Sequence, residues 1–486
     1  MASTRKRRPT PDPLERSLLA AVSSAVDDAL SEEAPAPRQA RSRARPDAPL
    51  VVAYSGGRDS TALLSLVCAL RDQRAPGFAR PHAVHVHHGL HRDADSWVSH
   101  CEQQCAALNA QLTVQRVSVE RRGSGVEAAA RDARYLALAQ AARGLGARAV
   151  LTGHQLDDRL ETFLLQWIRG AGLDGLSAMA PQRELDAGGA SPIALLRPLL
   201  HVPRERIERY IRLKELAFID DPGNSDPRFD RNSIRLQVMP QLARLRSGFR
   251  AAAERSIELI AEGAEALHSL AREDLQSCTR EAPASTLRID RLAMLPQARR
   301  TLVLREWLAQ AGLKAPPRAR LLQALQQAIG AGADARLLIR IGDHELRRHH
   351  GLLCLNAPRP GAPGPHAVQW QGEAELAVPS WGGALVFTRT SDEGFDARWL
   401  GAEPLELRPR TGGERFKPHP TRPSKRLKQI FQEARIPEYE RSALPLVWRD
   451  GRLIYVAGVG PDVRMLVADG ERIRIDWVGA ARLLHD

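Results

Sequence analysis

Ser55-Gly-Gly-Arg-Asp-Ser60 places two adjacent glycines and two hydroxyls between the apolar run Leu50–Ala53 and a helical stretch, Thr61–Arg71. Glycine lets the backbone turn tightly and approach a ligand closely, because no Cβ intervenes. Ser55, Ser60 and Thr61 add hydroxyl donors, and a helix start adds unpaired N–H groups with a positive dipole end. Such a combination holds phosphate or pyrophosphate. Ser55, Gly56, Gly57, Arg58, Asp59 and Ser60 are therefore the expected nucleotide-binding residues. The segment lacks the Gly-Lys-[Ser/Thr] of a Walker A loop and is not the Gly-x-Gly-x-x-Gly dinucleotide fingerprint.

A second constellation is Gly153-His-Gln-Leu-Asp-Asp-Arg-Leu-Glu-Thr162, a helix start carrying Asp157, Asp158 and Glu161. Spacings of three and four residues allow all three carboxylates to share one helical face. They suit Mg²⁺ on a nucleotide or the grip of a cationic amine, as does Asp59. Acidic residues in a first turn are also ordinary partners of the helix dipole. Cys101 and Cys105 lie one helical turn apart near His85, His87, His88, His91 and His100. Without paired Cys-x-x-Cys spacing they read as the apolar face of a helix rather than a zinc site.

The elements that position these residues alternate. Strand-like runs at Leu50–Ala53, Ala83–His87, Leu112–Val117 and Ala149–Thr152 flank helical stretches at Thr61–Arg71, Asp93–Leu108 and Val126–Gly144. That order means βαβ units and an α/β fold with a parallel, doubly wound sheet. Ligands of such sheets sit beyond the carboxyl ends of the strands. Ser55–Ser60, His87-His-Gly-Leu90 and Gly153–Asp158 all fall at such ends and converge on one crevice. His87 and His88 would line that crevice, or be ordinary polar loop residues. Arg131 and Arg134, three residues apart on a helix, suit phosphate contact as well as a solvated face.

Residues 1–48, rich in Pro, Ala and Arg, read as a basic, mostly disordered extension with a short helix over Leu14–Leu30. A catalytic domain is expected over 49–235 and a mainly helical substrate-binding domain over 236–356. A linker over 357–368 contains Ala357-Pro-Arg-Pro-Gly-Ala-Pro-Gly-Pro365. The remainder, 369–486, reads as a compact α/β domain with strands near Leu385–Arg389, Leu453–Ala457 and Ile473–Trp477.

The chain has 486 residues, a formal net charge of +13 and 5% aromatic residues. Such charge favours a polyanionic partner. The scarcity of aromatics argues against extended base stacking on single strands, so phosphate contact over a folded RNA fits better. Five cysteines are too few and too odd in number for a disulfide framework, which implies a reducing cytoplasm. No run of eighteen apolar residues marks a membrane span. A homodimer is left open.

Taken in order, these motifs carry a family resemblance. Ser-Gly-Gly-x-Asp-Ser resembles the loop of pyrophosphate-loop ATPases, of the adenine nucleotide alpha hydrolase-like type. Val84-His-Val-His-His-Gly-Leu90, Glu127-Ala-Ala-Ala-Arg-Asp-Ala-Arg-Tyr135, Arg169-Gly-Ala-Gly-Leu-Asp-Gly-Leu-Ser-Ala-Met179 and Arg197-Pro-Leu-Leu200 follow. Next come Asp221–Arg235, Gly412-Gly-Glu-Arg-Phe416, Ser424-Lys-Arg-Leu-Lys428 and Phe431-Gln-Glu-Ala-Arg-Ile-Pro437. From residue 49 onward the chain resembles the tRNA(Ile)-lysidine synthetase family.

The resemblance implies ATP and Mg²⁺ as cofactors, with the Mg²⁺ ligands left open. It implies free L-lysine and the CAU-anticodon isoleucine tRNA as substrates. In the implied reaction, ATP adenylates the C2 oxygen of the wobble cytidine and releases diphosphate. The ε-amine of lysine then displaces AMP to leave lysidine. On this reading Asp59, Asp158 and Glu161 form the lysine pocket, and one of them accepts a proton. Asp157, Arg231 and Arg235 join His87, His88, Arg131 and Arg134 as contacts to lysine, adenylate or RNA. Arg408, Arg410, Arg415, Lys417, Lys425, Arg426 and Lys428 give the C-terminal domain a tRNA-binding surface. Two rivals remain: another adenylating enzyme of the same loop class, such as a tRNA thiolase, and a non-catalytic tRNA-binding protein on an ATPase scaffold.

Overall fold

The computed structural model describes residues 12–30, 49–74, 80–89, 91–118, 126–185, 193–221, 223, 226–228, 230–279, 286–330, 337–349, 351–356, 363–434, 436 and 438–479. These residues form two compact units that divide after Leu267.

In the first unit, helix α1 (Pro13–Leu30) is followed by strand β1 (Leu50–Ala53), helix α2 (Arg58–Gln73) and strand β2 (Pro81–His87). Then come α3 (Ala94–Ala107), β3 (Gln111–Arg116), α4 (Val126–Gly144), β4 (Ala149–Leu151) and α5 (Leu156–Ile168). Strands β5 (Gln182–Leu185) and β6 (Ile193–Leu196) complete one six-stranded sheet of order β3-β2-β1-β4-β6-β5. All its pairings are parallel except that of the edge strand β5 with β6. Helices α6 (Arg204–Leu213) and α7 (Asp230–Ser233) lead into one π-helical turn, Ile234–Val238, then α8 (Met239–Leu245) and α9 (Phe249–Thr279). Val51 and Val52 of the central strand are buried, as expected of a strand covered on both faces. The strand order reverses between β1 and β4, so the crevice opens beyond the ends of those two strands.

Helix α1 corrects the reading of residues 1–48 as a loose extension. Leu14, Leu18, Val22 and Val26 recur every four residues, and with Leu19 they are buried in the same core as β1 and α2. Arg74–Asp27 (2.6 Å) and Lys214–Glu15 (2.7 Å) ion pairs edge that packing. The rest of the expected extension, 1–11 and 31–48, lies outside the described residues.

In the second unit, β7 (Thr286–Arg288), α10 (Ile289–Met294), α11 (Gln297–Gln310) and α12 (Arg318–Gly330) precede β8 (Leu338–Ile341), β9 (His344–His349) and β10 (Leu352–Asn356). The strands make a four-stranded antiparallel sheet of order β7-β10-β9-β8, so the helices that dominate 236–356 are joined by a sheet the sequence did not reveal. Its strands escaped notice because β9, His-Glu-Leu-Arg-Arg-His, has only Leu346 buried and shows no apolar alternation. Strand β11 (His366–Val368) pairs with Leu405–Arg408, so the expected linker 357–368 ends in sheet. Residues 357–362 of that linker lie outside the described residues. The remaining C-terminal strands enclose a core around Trp370, Phe387, Leu405, Val447 and Ile475.

Candidate active site

The loop after β1 is held by its own side chains. Ser55 Oγ lies 3.1 Å from Ser60 Oγ, accepts from Gly57 N at 3.3 Å, and Ser60 Oγ donates to Gly57 O at 2.9 Å. Thr61 Oγ1 donates to the same carbonyl at 3.0 Å. Gly56 has φ +79°, and a Cβ there would lie 2.5 Å from Ile219 Cδ1 and 3.0 Å from Cys101 Sγ. Ile219 N in turn donates to Gly56 O at 2.9 Å, pinning the loop from below. Gly57 precedes the sixteen-residue helix α2 without any side-chain cap, so the first N–H groups of α2 face the loop's concavity. A Cβ at Gly56 is excluded, and the uncapped first turn of α2 leaves N–H groups that can bind an oxyanion.

The second strand end touches the first. Gly153 lies so close to the start of α2 that a Cβ on it would be 2.8 Å from Asp59 C and O. Helix α5 then begins with reciprocal caps: Gln155 Oε1 accepts from Asp157 N at 2.6 Å, and Asp158 Oδ2 accepts from Gln155 N at 3.1 Å. Asp158 is 9% exposed and Glu161 0%.

Two arginines fill the space in front of these carboxylates. Arg231 donates from Nη2 to Asp158 Oδ1 and from Nε to Glu161 Oε2, each at 2.8 Å. Arg235 grips Glu161 with Nε at 2.6 Å and Nη2 at 2.9 Å, with Asp158 Oδ1 3.5 Å away. Between them Ile234 is buried against Leu156, Leu160, Met239 and Ile257, which anchors the arginines over α5. Burial pushes the Asp158 carboxyl up to about 6; Arg231 opposes that rise, while Glu161 and Asp59 add to it. Both guanidiniums stay firmly charged, because Asp158 and Glu161 outweigh the cost of burying them.

Asp157 is not part of that face. Its Oδ1 accepts from Arg250 Nε of α9 at 2.9 Å, and its Oδ2 accepts from Arg204 N at 3.2 Å. One residue of helical rotation, about 100°, separates it from Asp158. The expected sharing of one face by all three carboxylates therefore fails at Asp157, which ties α5 to α6 and α9.

Asp59 Oδ1 accepts from Arg58 Nε at 3.0 Å, and Arg58 Nη1 reaches Glu208 at 2.8 Å. His87 Nε2 sits 3.4 Å from Asp95 and 3.5 Å from Arg116, so its ring is engaged with α3 and β3. His88 Nδ1 is buried with no hydrogen-bond partner among the described residues. Burial, then the charges of Arg134, His85 and His87, pushes it down to about 4. Arg131 and Arg183 approach the Tyr135 ring at 5.7 and 4.2 Å. Arg134 lies exposed on α4.

Sequence reasoning passed over His154. Its Nδ1 is 2.9 Å from Thr152 Oγ1, at the tip of β4. The signal available was its place at a strand end, four residues before Asp158. The π-turn at Ile234–Val238 is a second such mark, since these turns recur at functional sites.

Loop, sheet order and crevice together define a pyrophosphate-loop ATPase. A family model described as the PP-loop domain matches residues 32–242. Models described as the TilS substrate binding domain and the TilS substrate C-terminal domain match 287–354 and 405–477. The chain is 44% identical over 444 residues to a tRNA(Ile)-lysidine synthase of Ralstonia nicotianae, covering 89% of this chain and 93% of that protein. It is 36% identical over 435 residues to the one from Nitrosomonas europaea, covering 88% and 92%. It is 40% identical over 432 residues to the one from Alkalilimnicola ehrlichii, covering 87% and 92%. The chain belongs to the tRNA(Ile)-lysidine synthase family. The readings as a tRNA thiolase or as a non-catalytic tRNA binder fall away.

Proposed function

We propose that the chain joins free L-lysine to C2 of the wobble cytidine in the CAU anticodon of an isoleucine tRNA, through an adenylated cytidine. The observation that carries this reading is the contact of two strand ends: an oxyanion cradle after β1 against a buried carboxylate pair after β4. A ring carbonyl oxygen is a poor leaving group until adenylation makes it part of AMP. The Ser55–Ser60 loop and the start of α2 stabilise the charge that builds on departing diphosphate.

Magnesium would arrive on the ATP phosphates, and it takes oxygen ligands. Asp59, a quarter-exposed carboxylate at the end of the cradle, fits such a cation and would hold it there, neutralising phosphate charge. Asp158 and Glu161 hold the lysine ammonium by taking it in place of the bonds that Arg231 and Arg235 make. The displaced guanidiniums then face the adenylate or the RNA. Arg131 and Arg134 serve as phosphate contacts beside the crevice, and His87 and His88 line its far side.

In the second unit, several of the crowded cations already have acidic neighbours: Arg408 with Glu406, Arg410 with Glu414 and Lys425 with Glu433. Arg426 and Lys428 are exposed and better suited to phosphate contact, which positions an RNA rather than reading it. Among the described residues no helix is long and apolar enough to cross a membrane, and all five cysteines are free and buried. Those cysteines support work in a reducing cytoplasm.

The test is direct. With ATP, Mg²⁺, labelled lysine and CAU-anticodon isoleucine tRNA, label should enter the RNA, and tRNA should stimulate diphosphate release. Lysine transfer that survives Asp158→Ala or Glu161→Ala at ordinary lysine concentrations would remove the pocket.

A further inference from the structure

The lysine ε-ammonium must lose a proton before its nitrogen can attack, and Asp158 and Glu161 are already committed to holding cations. We propose that His154, through Nε2, takes that proton as lysine attacks C2 of the adenylated cytidine; this rests on the lysine pocket described above.

Three observations converge on the ring. Thr152 Oγ1 lies 3.3 Å from Leu196 O and 2.9 Å from His154 Nδ1. The carbonyl can only accept, so for both contacts to be hydrogen bonds Thr152 donates to it and accepts from Nδ1–H. That fixes the tautomer: Nε2 carries the lone pair. Among the described residues only Nδ1 of the ring has a hydrogen-bond partner, and His154 is half-buried. Finally, the neighbouring Gly153 packs against the start of α2, and Arg231, which bridges Asp158 and Glu161, lies near enough to act on the imidazole.

The charges around the ring keep that lone pair free. Burial, then Arg197 after β6, Arg231 of α7 and Arg131 and Arg134 of α4, pushes His154 down to about 3. A base that weak is inefficient, since a proton acceptor works best with a pKa near the working pH. Phosphates of ATP and RNA entering beside those four arginines offset their charge. The arginines' share of that depression is then relieved, so the ring is a better acceptor with both substrates bound than in the free protein.

The step balances. The lysine ammonium gives one proton to Nε2, and its nitrogen forms the Nζ–C2 bond. The C2–O bond breaks, the oxygen leaves with its electron pair on AMP, and the nitrogen, still carrying two protons after the attack, sheds the second to solvent. The imidazolium returns its proton to solvent as the products depart.

The experiment separates the half-reactions in single turnover at saturating lysine. His154→Gln should lower lysine transfer by about a hundredfold or more, leave tRNA-stimulated diphosphate release within about threefold, and leave the lysine KM unchanged. The remaining transfer should climb with pH as the free amine of lysine accumulates. Added imidazole should restore part of the transfer in His154→Ala, a gain that only folded protein can show. Thr152→Val, which leaves Nδ1–H without its acceptor, should cost transfer several-fold. Transfer kept within about threefold in His154→Gln, equal loss of diphosphate release, or no imidazole rescue would each overturn the assignment. Failure of the lysine pocket reads out differently, as an unchanged lysine KM in Asp158→Asn and Glu161→Gln.

Discussion

The nucleotide loop and the carboxylate helix lie against each other, yet they are built on opposite principles. The loop is mostly local: the hydrogen bonds that shape Ser55–Ser60 come from residues within six positions, apart from the Ile219 anchor and the Arg58–Glu208 pair. Its function is carried by backbone N–H groups, which any side-chain change leaves in place unless it alters the path of the chain. The carboxylate site is assembled over distance. Asp158 and Glu161 are held by Arg231 and Arg235, some seventy positions away. A local site should fail through backbone geometry, and a distant one through unbalanced charge.

The largest effect expected from this contrast is at Gly56. Gly56→Val puts a side chain against Ile219 at a positive φ, and tRNA-stimulated diphosphate release should fall by about a thousandfold or more, as for loss of preorganised oxyanion donors. A variant that retained near-normal release would mean that the cradle is elsewhere.

Next is Glu161→Ala, which takes a fully buried carboxylate from two half-buried guanidiniums and leaves them Asp158 alone. Breaking a fully buried pair costs about 3–5 kcal/mol and this half-buried one less, so denaturant unfolding should shift measurably, together with a large rise in lysine KM. Loss of stability with an unchanged lysine KM would make the cluster structural only.

The pH dependence has a defined sign. Asp158 titrates near 6 in the folded chain against an ordinary 3.8, so the native state holds more protons between those values. Its contribution to stability therefore declines as pH rises from about 4 to about 6. Its grip on ammonium has the opposite trend, needing the charged form. Lysine KM should rise as pH falls below about 6, and Asp158→Asn should flatten that profile.

Asp157 sharpens the contrast from the other side of the same helix. Asp157→Asn should weaken the ties to Arg250 and Arg204 at a cost of about 1–3 kcal/mol, with lysine KM essentially unmoved. The smallest effect belongs to the second unit. Lys428→Ala should weaken tRNA binding a few-fold and reduce the slope of its salt dependence by about one, without touching turnover at saturating tRNA.

Legibility followed the same divide. The alternating elements around β1–β4 and the loop motif were readable because parallel central strands are apolar runs and turn residues punctuate them. Strands β8 to β10 were missed, since a sheet with a charged open face leaves no periodic signal in Leu-Ile-Arg-Ile or His-Glu-Leu-Arg-Arg-His. Helix α1 was noticed as a helix but not as core, because its neighbours in composition are polar while its own stripe at 14, 18, 22 and 26 is buried. At the site, the types Asp, Glu and Arg were visible. Their pairing was not, and neither was the turning away of Asp157.

What the amino-acid order alone determined is the chemistry of contiguous residues: a glycine pair, hydroxyls and a helix start that bind an oxyanion wherever the chain places them. Tertiary structure decided which charges meet. A carboxylate's partners depend on distances of a few ångströms between residues far apart in sequence, and electrostatic energy varies inversely with that distance and with the local dielectric. Only folding sets either quantity. Asp157 and Asp158, adjacent and identical in kind, thus became a structural tie and a face of the proposed lysine pocket.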